Sequence, residues 1–190
     1  MIIHFSNQEL TYTGQELRPH FLFSHFDLKG SGICAFIGPC HVKTEHLVDW
    51  EDRKQGDFIK AKLMLHFLSE FFCMSLKEAV LLQRLFIAKI AEKLNFSKSS
   101  SHMIIRSGND LFINERKLSV SIVTSSPVSQ LLHIGVNLDP EGAPVSAIGL
   151  FELGLSISQL KERFIPEILE DFAKEFEGAS FACTKVRPVI

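Results

Sequence analysis

Lys117 is the side chain with the clearest chemical use in this sequence. It follows the polar turn Glu115-Arg116 and the apolar run Leu111–Asn114, so it stands at a strand end. A polar corner, Ser107-Gly108-Asn109-Asp110, precedes that run. A lysine and several small or amide residues so placed at strand ends can line a pocket together with backbone groups. Asn109 and Asp110 add amide and carboxylate groups, and Arg106 ends the strand before them. Gly135-Val136-Asn137 is a further strand, in which glycine permits close backbone approach. Gly38-Pro39-Cys40-His41 is a second centre of interest, because a thiol beside a histidine and a turn can be exposed as a thiolate.

Metal ligation is the competing chemistry. Cys40, His41, His46, Asp49 and Asp52 crowd one polar stretch that would suit a metal-dependent hydrolase. No pair among them has the His-x3-His or Cys-x2-Cys spacing of a zinc centre. The segment Cys40 to Asp57 therefore reads as a solvated or site-lining loop, with no metal assigned. His66 and Glu70, four apart, would share one face of a helix.

Several elements must position these groups. Met1–Phe5, Phe21–Phe26 and Ile33–Ile37 read as strands, the last ended by Gly38-Pro39. From Phe58 to Met74 the stripe Ile59, Leu63, Phe67, Phe71 has helical spacing. A second helix starts at Ser75, where Glu78 completes a capping box, and runs to about Leu94, followed by a Ser-rich linker over Asn95–Ser101. His102–Arg106, Leu111–Asn114, Lys117–Thr124 and Gln130–Leu138 form an antiparallel meander. The last helix runs from Ser156 or Ser158 to Phe176, capped by Ser156 and Gln159, kinked or divided at Pro166 and stopped by Gly178. Ser180–Val186 reads as a final strand. Strands, then helices, then strands, then a helix give an α+β fold with a mixed, mostly antiparallel sheet, in one domain spanning 1–190.

Composition bounds the function. A net charge of −2 supplies no footprint for nucleic acid or anionic membrane. No run reaches the roughly 18 apolar residues of a spanning helix, and the start lacks a signal-peptide pattern, so a cytoplasmic location is expected. The four cysteines show no paired spacing. Seventeen Phe against one Trp and one Tyr indicate a Phe-rich core, and spare sheet edges are compatible with a homodimer.

Asn109-Asp110-Leu111, Arg116-Lys117-Leu118 and Gly135-Val136-Asn137, in that order, resemble the catalytic half of the biotin and lipoate protein ligases. Those enzymes carry a Pro-Asn-Asp-Leu corner, an Arg-Lys-Leu lysine strand and a Gly-x-Asn strand. Over the whole chain, Gly38-Pro39-Cys40, His66-Phe67 and Asn109-Asp110-Leu111 are similar to a prokaryotic domain of unknown function, the one numbered 366. The resemblance implies a ligase-like, class II synthetase-like fold. It implies Lys117 as the catalytic cation, with Asn109, Asp110, Arg106, Gly135, Asn137, Gly38 and Cys40 around an ATP or acyl-adenylate. It also implies a small carboxylic acid as ligand and an acyl-carrier or lipoyl/biotinyl-type domain as partner. Two features of the ligase pattern have no counterpart. The glycine- and arginine-rich adenylate loop is replaced by acidic residues and Lys54-Gln55-Gly56, which counts against ATP activation. Ala147-Ile148-Gly149 stands where octanoyl transferases of that family carry a nucleophilic cysteine. A ligand-binding module without turnover is therefore the alternative to an acyltransferase or ligase.

Overall fold

The computed structural model describes residues 1–97 and 103–189. Its centre is a five-stranded sheet in the order β1-β2-β3-β8-β7, with β1 (Ile2–Phe5), β2 (Gly32–Val42), β3 (Ile59–Phe71), β7 (Ser119–Ser125) and β8 (Gln130–Asp139). β1 runs parallel to β2, and every other pairing in this sheet is antiparallel. A small second sheet joins β4 (Ile105–Ser107), β5 (Asp110–Ile113) and β6 (Arg116–Lys117). The α+β architecture expected from the sequence is the one observed.

β3 departs most from expectation: Ile59–Phe71 is a strand, not a helix. As the middle strand it is covered on both faces from Met64 to Phe71, so apolar side chains occupy both of its faces there, interrupted by His66, Ser69 and Glu70. A continuous apolar run matches helical spacing as well as it matches a buried strand. Leu65, Phe67 and Phe71 face one core, whereas Met64 and Leu68 face another. Phe21–Phe26 is a short helix, α1, not a strand, and is bracketed by His20 and Asp27 in left-handed backbone (φ 59° and 53°).

Gly38-Pro39 does not end β2. The strand continues to Val42 through a bulge between Gly38 and Cys40, where a missing proline N–H is tolerated. The Leu10–Tyr12 segment covers that bulge: Tyr12 N–H donates to the Pro39 carbonyl (2.9 Å), and His41 N–H donates to the Tyr12 carbonyl (2.9 Å). The contact is close enough to require glycine, because a Cβ at Gly38 would lie 2.0 Å from the Leu10 carbonyl oxygen.

The first core lies between the sheet and two long helices, α3 (Leu76–Ser97) and α5 (Ile165–Thr184). α3 starts at the expected Ser75–Glu78 capping box. The expected Ser-rich linker over Asn95–Ser101 lies partly outside the described residues, and Asn95–Ser97 belong to α3. The Ser156–Gln159 capping box opens a short helix, α4 (Ile157–Gln159). A π-helical turn, Leu160–Phe164, then leads into α5. Pro166 falls in the first turn of α5 directly after the π-helical turn, whose altered hydrogen-bond pattern accommodates its missing N–H within continuous helical backbone. Gly178 does not stop α5, and the strand expected at Ser180–Val186 is instead its end, through Thr184. Phe86 of α3 stacks on Phe172 of α5, with centroids 4.1 Å apart.

The other face of the sheet carries the second core, built from Tyr12, Phe21, Leu22, Phe36, Cys40 and Met64 with their neighbours. A short helix, α2 (Trp50–Gln55), flanks this side. Its N-cap, Asp49, accepts the Glu51 and Asp52 backbone N–H groups. No described helix is long and apolar enough to cross a membrane.

Candidate functional site

Between α2, the β5–β6 hairpin and the open face of β7–β8 lies a cleft of about 340 Å³. The hairpin delivers the cation. Asn114 and Glu115 both take left-handed φ (47° and 66°), as a two-residue hairpin turn matched to strand twist requires. Lys117 therefore pairs with Phe112, and Asp110 lies two residues back on the same face, within diagonal reach. The Lys117 ammonium meets the Asp110 carboxylate at 2.8 Å, and both side chains line the cleft.

The backbone around Lys117 is held from two sides. Its N–H donates to the Ser146 carbonyl (2.9 Å), and its own carbonyl accepts from Ile148 N–H (3.0 Å) and the Asn137 side-chain amide (3.2 Å). Arg116 adds two bonds to the Ala147 carbonyl and an ion pair with Glu152. Ala143, Pro144, Val145 and Ala147 thus form a wall fastened to the lysine strand. The preceding corner is fastened to β7: the Asn109 amide donates to the Ser121 carbonyl (2.8 Å), and the Ser121 hydroxyl donates to the Asn109 carbonyl (2.7 Å).

Electrostatically the cleft is acidic. Asp49, Asp52, Asp57 and Asp110 line it against Lys60 and Lys117. Burial raises the Asp110 carboxyl above its ordinary range, although Lys117 pulls the other way. One Asp110 oxygen is bound to Lys117, and among the described residues the other, Oδ1, is buried with no hydrogen-bond partner. Asp52 is also raised, by desolvation first and then by repulsion from Asp49 and Asp57.

Of the residues singled out in the sequence, Lys117, Asn109, Asp110 and Asn137 meet at this cleft. Gly135 backs it: a Cβ there would lie 2.7 Å from the Met64 methyl group and 3.3 Å from both His133 and Val120, all three cleft-lining residues. Arg106 is exposed on β4 and turns back to the Gly108 carbonyl. Gly38 and Cys40 lie under the Leu10–Tyr12 segment, away from the cleft lining. The Cys40 thiol is 1% exposed and is pushed up to about 12 by burial, with the Glu16 carboxylate adding to the rise. That environment corrects the exposed-thiolate expectation, because the reactive form is the thiolate and this site suppresses it.

Other lining groups were not assigned to the lysine site by sequence reasoning. Asp49 and Asp52 were weighed as metal ligands and Asp57 as part of a solvated or site-lining loop; all three line the cleft. His133 lines it too, on the same β8 face as Gly135 and Asn137; that spacing of two is the signal that could have found it. His66 does not pair with Glu70. It is fully buried on β3 and hydrogen-bonds His133 at 3.0 Å. Glu70 instead accepts from His20 N–H and the Ser129 hydroxyl. Among the described residues no group of three His, Cys, Asp or Glu converges as a metal site.

Known proteins share this architecture. An uncharacterized protein of Methanocaldococcus jannaschii is 34% identical over 199 aligned positions, covering all of this chain and 86% of its own length. A solved structure of a protein of unknown function from Pyrococcus horikoshi superposes with a TM-score of 0.88 at 35% identity, covering 99% of this chain and 98% of that one. The biotin protein ligase of Aquifex aeolicus, in complex with biotin and ATP, matches with a TM-score of 0.56 at 15% identity over 90% of this chain and 71% of its own. The P. falciparum protein LipL1 in complex with lipoate matches with a TM-score of 0.52 at 12% identity over 100% and 64%. At these low identities the ligases share the fold. The family model described as "Domain of unknown function (DUF366)" matches residues 1–187, and the chain belongs to that family.

Proposed function

We propose that the cleft binds a small carboxylic acid or its acyl derivative, with the carboxyl at Lys117, and that acyl transfer is the chemistry this placement suits. The observation that carries the reading is the Lys117 ammonium fixed in a cleft at 2.8 Å from Asp110. An ammonium has three donors, so one can hold Asp110 while others remain for a ligand carboxylate. The same cation would stabilise an oxyanion forming at that carboxyl. A volume of about 340 Å³ is at the small end for ligand sites, which favours a compact acid. The ligases that share the fold were solved with biotin, ATP and lipoate, and they motivate the choice of acids to test.

A second reading is a binder without turnover, and the acidic lining favours it. Four carboxylates against two lysines repel a polyphosphate, so ATP or an acyl-adenylate is the less favoured occupant. An acyl-carrier or lipoyl/biotinyl-type domain is the protein partner that an acyltransferase of this shape would serve. A homodimer through the outer sheet edges is compatible with either reading.

The test is a thermal-shift panel of octanoate, lipoate and biotin, each with and without ATP, with pyrophosphate followed in parallel. The expected result is stabilisation by an acid alone, about 2.7 kcal/mol at a hundredfold excess over Kd, abolished in Lys117→Ala. Pyrophosphate release would establish ATP-driven ligation. No shift with any acid overturns the proposal.

A further inference from the structure

The buried histidine pair beneath the cleft has a proton arrangement that its neighbours dictate. Nε2 of His66 lies 3.2 Å from the Gly38 carbonyl oxygen. A carbonyl only accepts, so His66 Nε2 must carry a hydrogen. Burial holds His66 neutral, lowering it to about 4, so its Nδ1 has a lone pair and no hydrogen. That Nδ1 lies 3.0 Å from Nε2 of His133, which must therefore donate to it. His133 is likewise held neutral, by desolvation and then by the proximity of His66. Its single hydrogen is spent on His66, and its Nδ1 is left bare.

The surroundings keep this arrangement in place. At the bulge in β2 the Gly38 carbonyl faces His66, and the Pro39 carbonyl accepts from Tyr12 N–H. The Tyr12 ring stacks on His133, with centroids 3.7 Å apart and planes within 11°, which fixes the imidazole plane. Among the described residues no protein hydrogen bond is made by His133 Nδ1, and His133 lines the cleft.

We infer that His133 is a ligand-recognising residue whose bare Nδ1 accepts a hydrogen bond from an N–H or O–H group of the molecule in the cleft, with His66 and the Gly38 carbonyl as the groups that set its tautomer. This deepens the reading of the cleft as an acid-binding site by naming a second handle on the ligand. A carboxyl is held at Lys117, and a neutral donor group (an amide, hydroxyl or ring N–H) is read at His133. A plain fatty acid lacks that donor and satisfies only half of the site. A ligand without that donor is expected to bind roughly five- to tenfold more weakly, the worth of one hydrogen bond.

Two measurements on the wild-type protein, made without any acid, test the inference apart from the acid-binding proposal. Long-range ¹H–¹⁵N correlation spectra of the imidazole rings report which nitrogen carries the hydrogen. The expected result is Nε2–H for both His66 and His133, with both Nδ1 atoms unprotonated. A protonated Nδ1 on His133 overturns the inference. Diethyl pyrocarbonate, a small reagent that acylates unprotonated imidazole nitrogens, is then applied and its sites located by peptide mass spectrometry. His133 is expected to react, more slowly than exposed His20, His25 and His41, while His66 does not. An unmodified His133 after complete reaction of the exposed rings shows that nothing of ligand size reaches it, and overturns the inference. In His66→Phe the donor from His133 loses its acceptor, and a fraction of His133 is expected to move to the Nδ1–H tautomer; a folded variant with an unchanged tautomer assigns the control elsewhere and overturns the role of His66.

Discussion

At the scale of single residues, charge and burial pull against each other. Asp110 is raised by desolvation, so ionising it costs stability once the pH passes above the ordinary carboxylate range. Asp110→Asn is expected to match or exceed the wild-type melting temperature at pH 7, with the difference shrinking by pH 3.5; a large loss at pH 7 would mean that the Lys117 pair outweighs the burial penalty. The histidine pair acts with the opposite sign. A folded value lowered to about 4 at His66 means that its contribution is complete above the ordinary histidine range and is lost as the pH falls towards 4. The urea midpoint should therefore drop between about pH 7 and pH 4.5, and a His66→Gln, His133→Gln double variant should flatten that limb. Lys117, Asn109 and Asp110 were legible in sequence because the hairpin and corner that position them are local, whereas Asn137, on β8, was found only through the Gly-x-Asn resemblance. The His66–His133 contact was not, because it joins residues 67 apart across two strands.

At the scale of elements, local chemistry was read well and strand identity poorly. Both capping boxes stand where Ser75–Glu78 and Ser156–Gln159 indicated. Ser75→Ala should cost about 1 kcal/mol in denaturant unfolding. β3 was misread because a central strand covered on both faces loses its alternation, and only its partners β2 and β8 reveal it. The β2 bulge carries a sharper expectation. Gly38→Ala places a methyl against the Leu10 backbone, and a loss of roughly 3 kcal/mol should follow. Because Gly38 also anchors His66, that variant should disturb the His133 ring signals while leaving α3 intact in far-UV circular dichroism.

At the scale of the whole molecule, one sheet serves two different purposes. The α3–α5 side is mainly apolar, its buried polar groups including Gln83 bonded to Ser121, and Phe172, fully buried against Phe86, stands at its centre. Phe172→Ala should lower stability by about 3–5 kcal/mol, while acid binding per folded molecule stays unchanged. The opposite side accommodates Glu70, His66, His133 and Asn137 among its buried groups. The buried ionisable groups therefore gather on the cleft side of the sheet. The α+β class could be read from element order alone, whereas the division of labour between faces depends on long-range pairing that composition does not encode.

The wall from Ala143 to Ala147 shares its backbone bonds with the lysine strand, whereas the hydrogen bonds at α2 stay within its own neighbourhood, from Thr44 to Gly56 and Asp57 and from Asp49 to the first helical turn. Swinging that wall outward would carry the ammonium along with it and dismantle the anchor a visiting molecule needs. Among the described residues, the aspartate-bearing helix is a border whose displacement would leave the cation at its post.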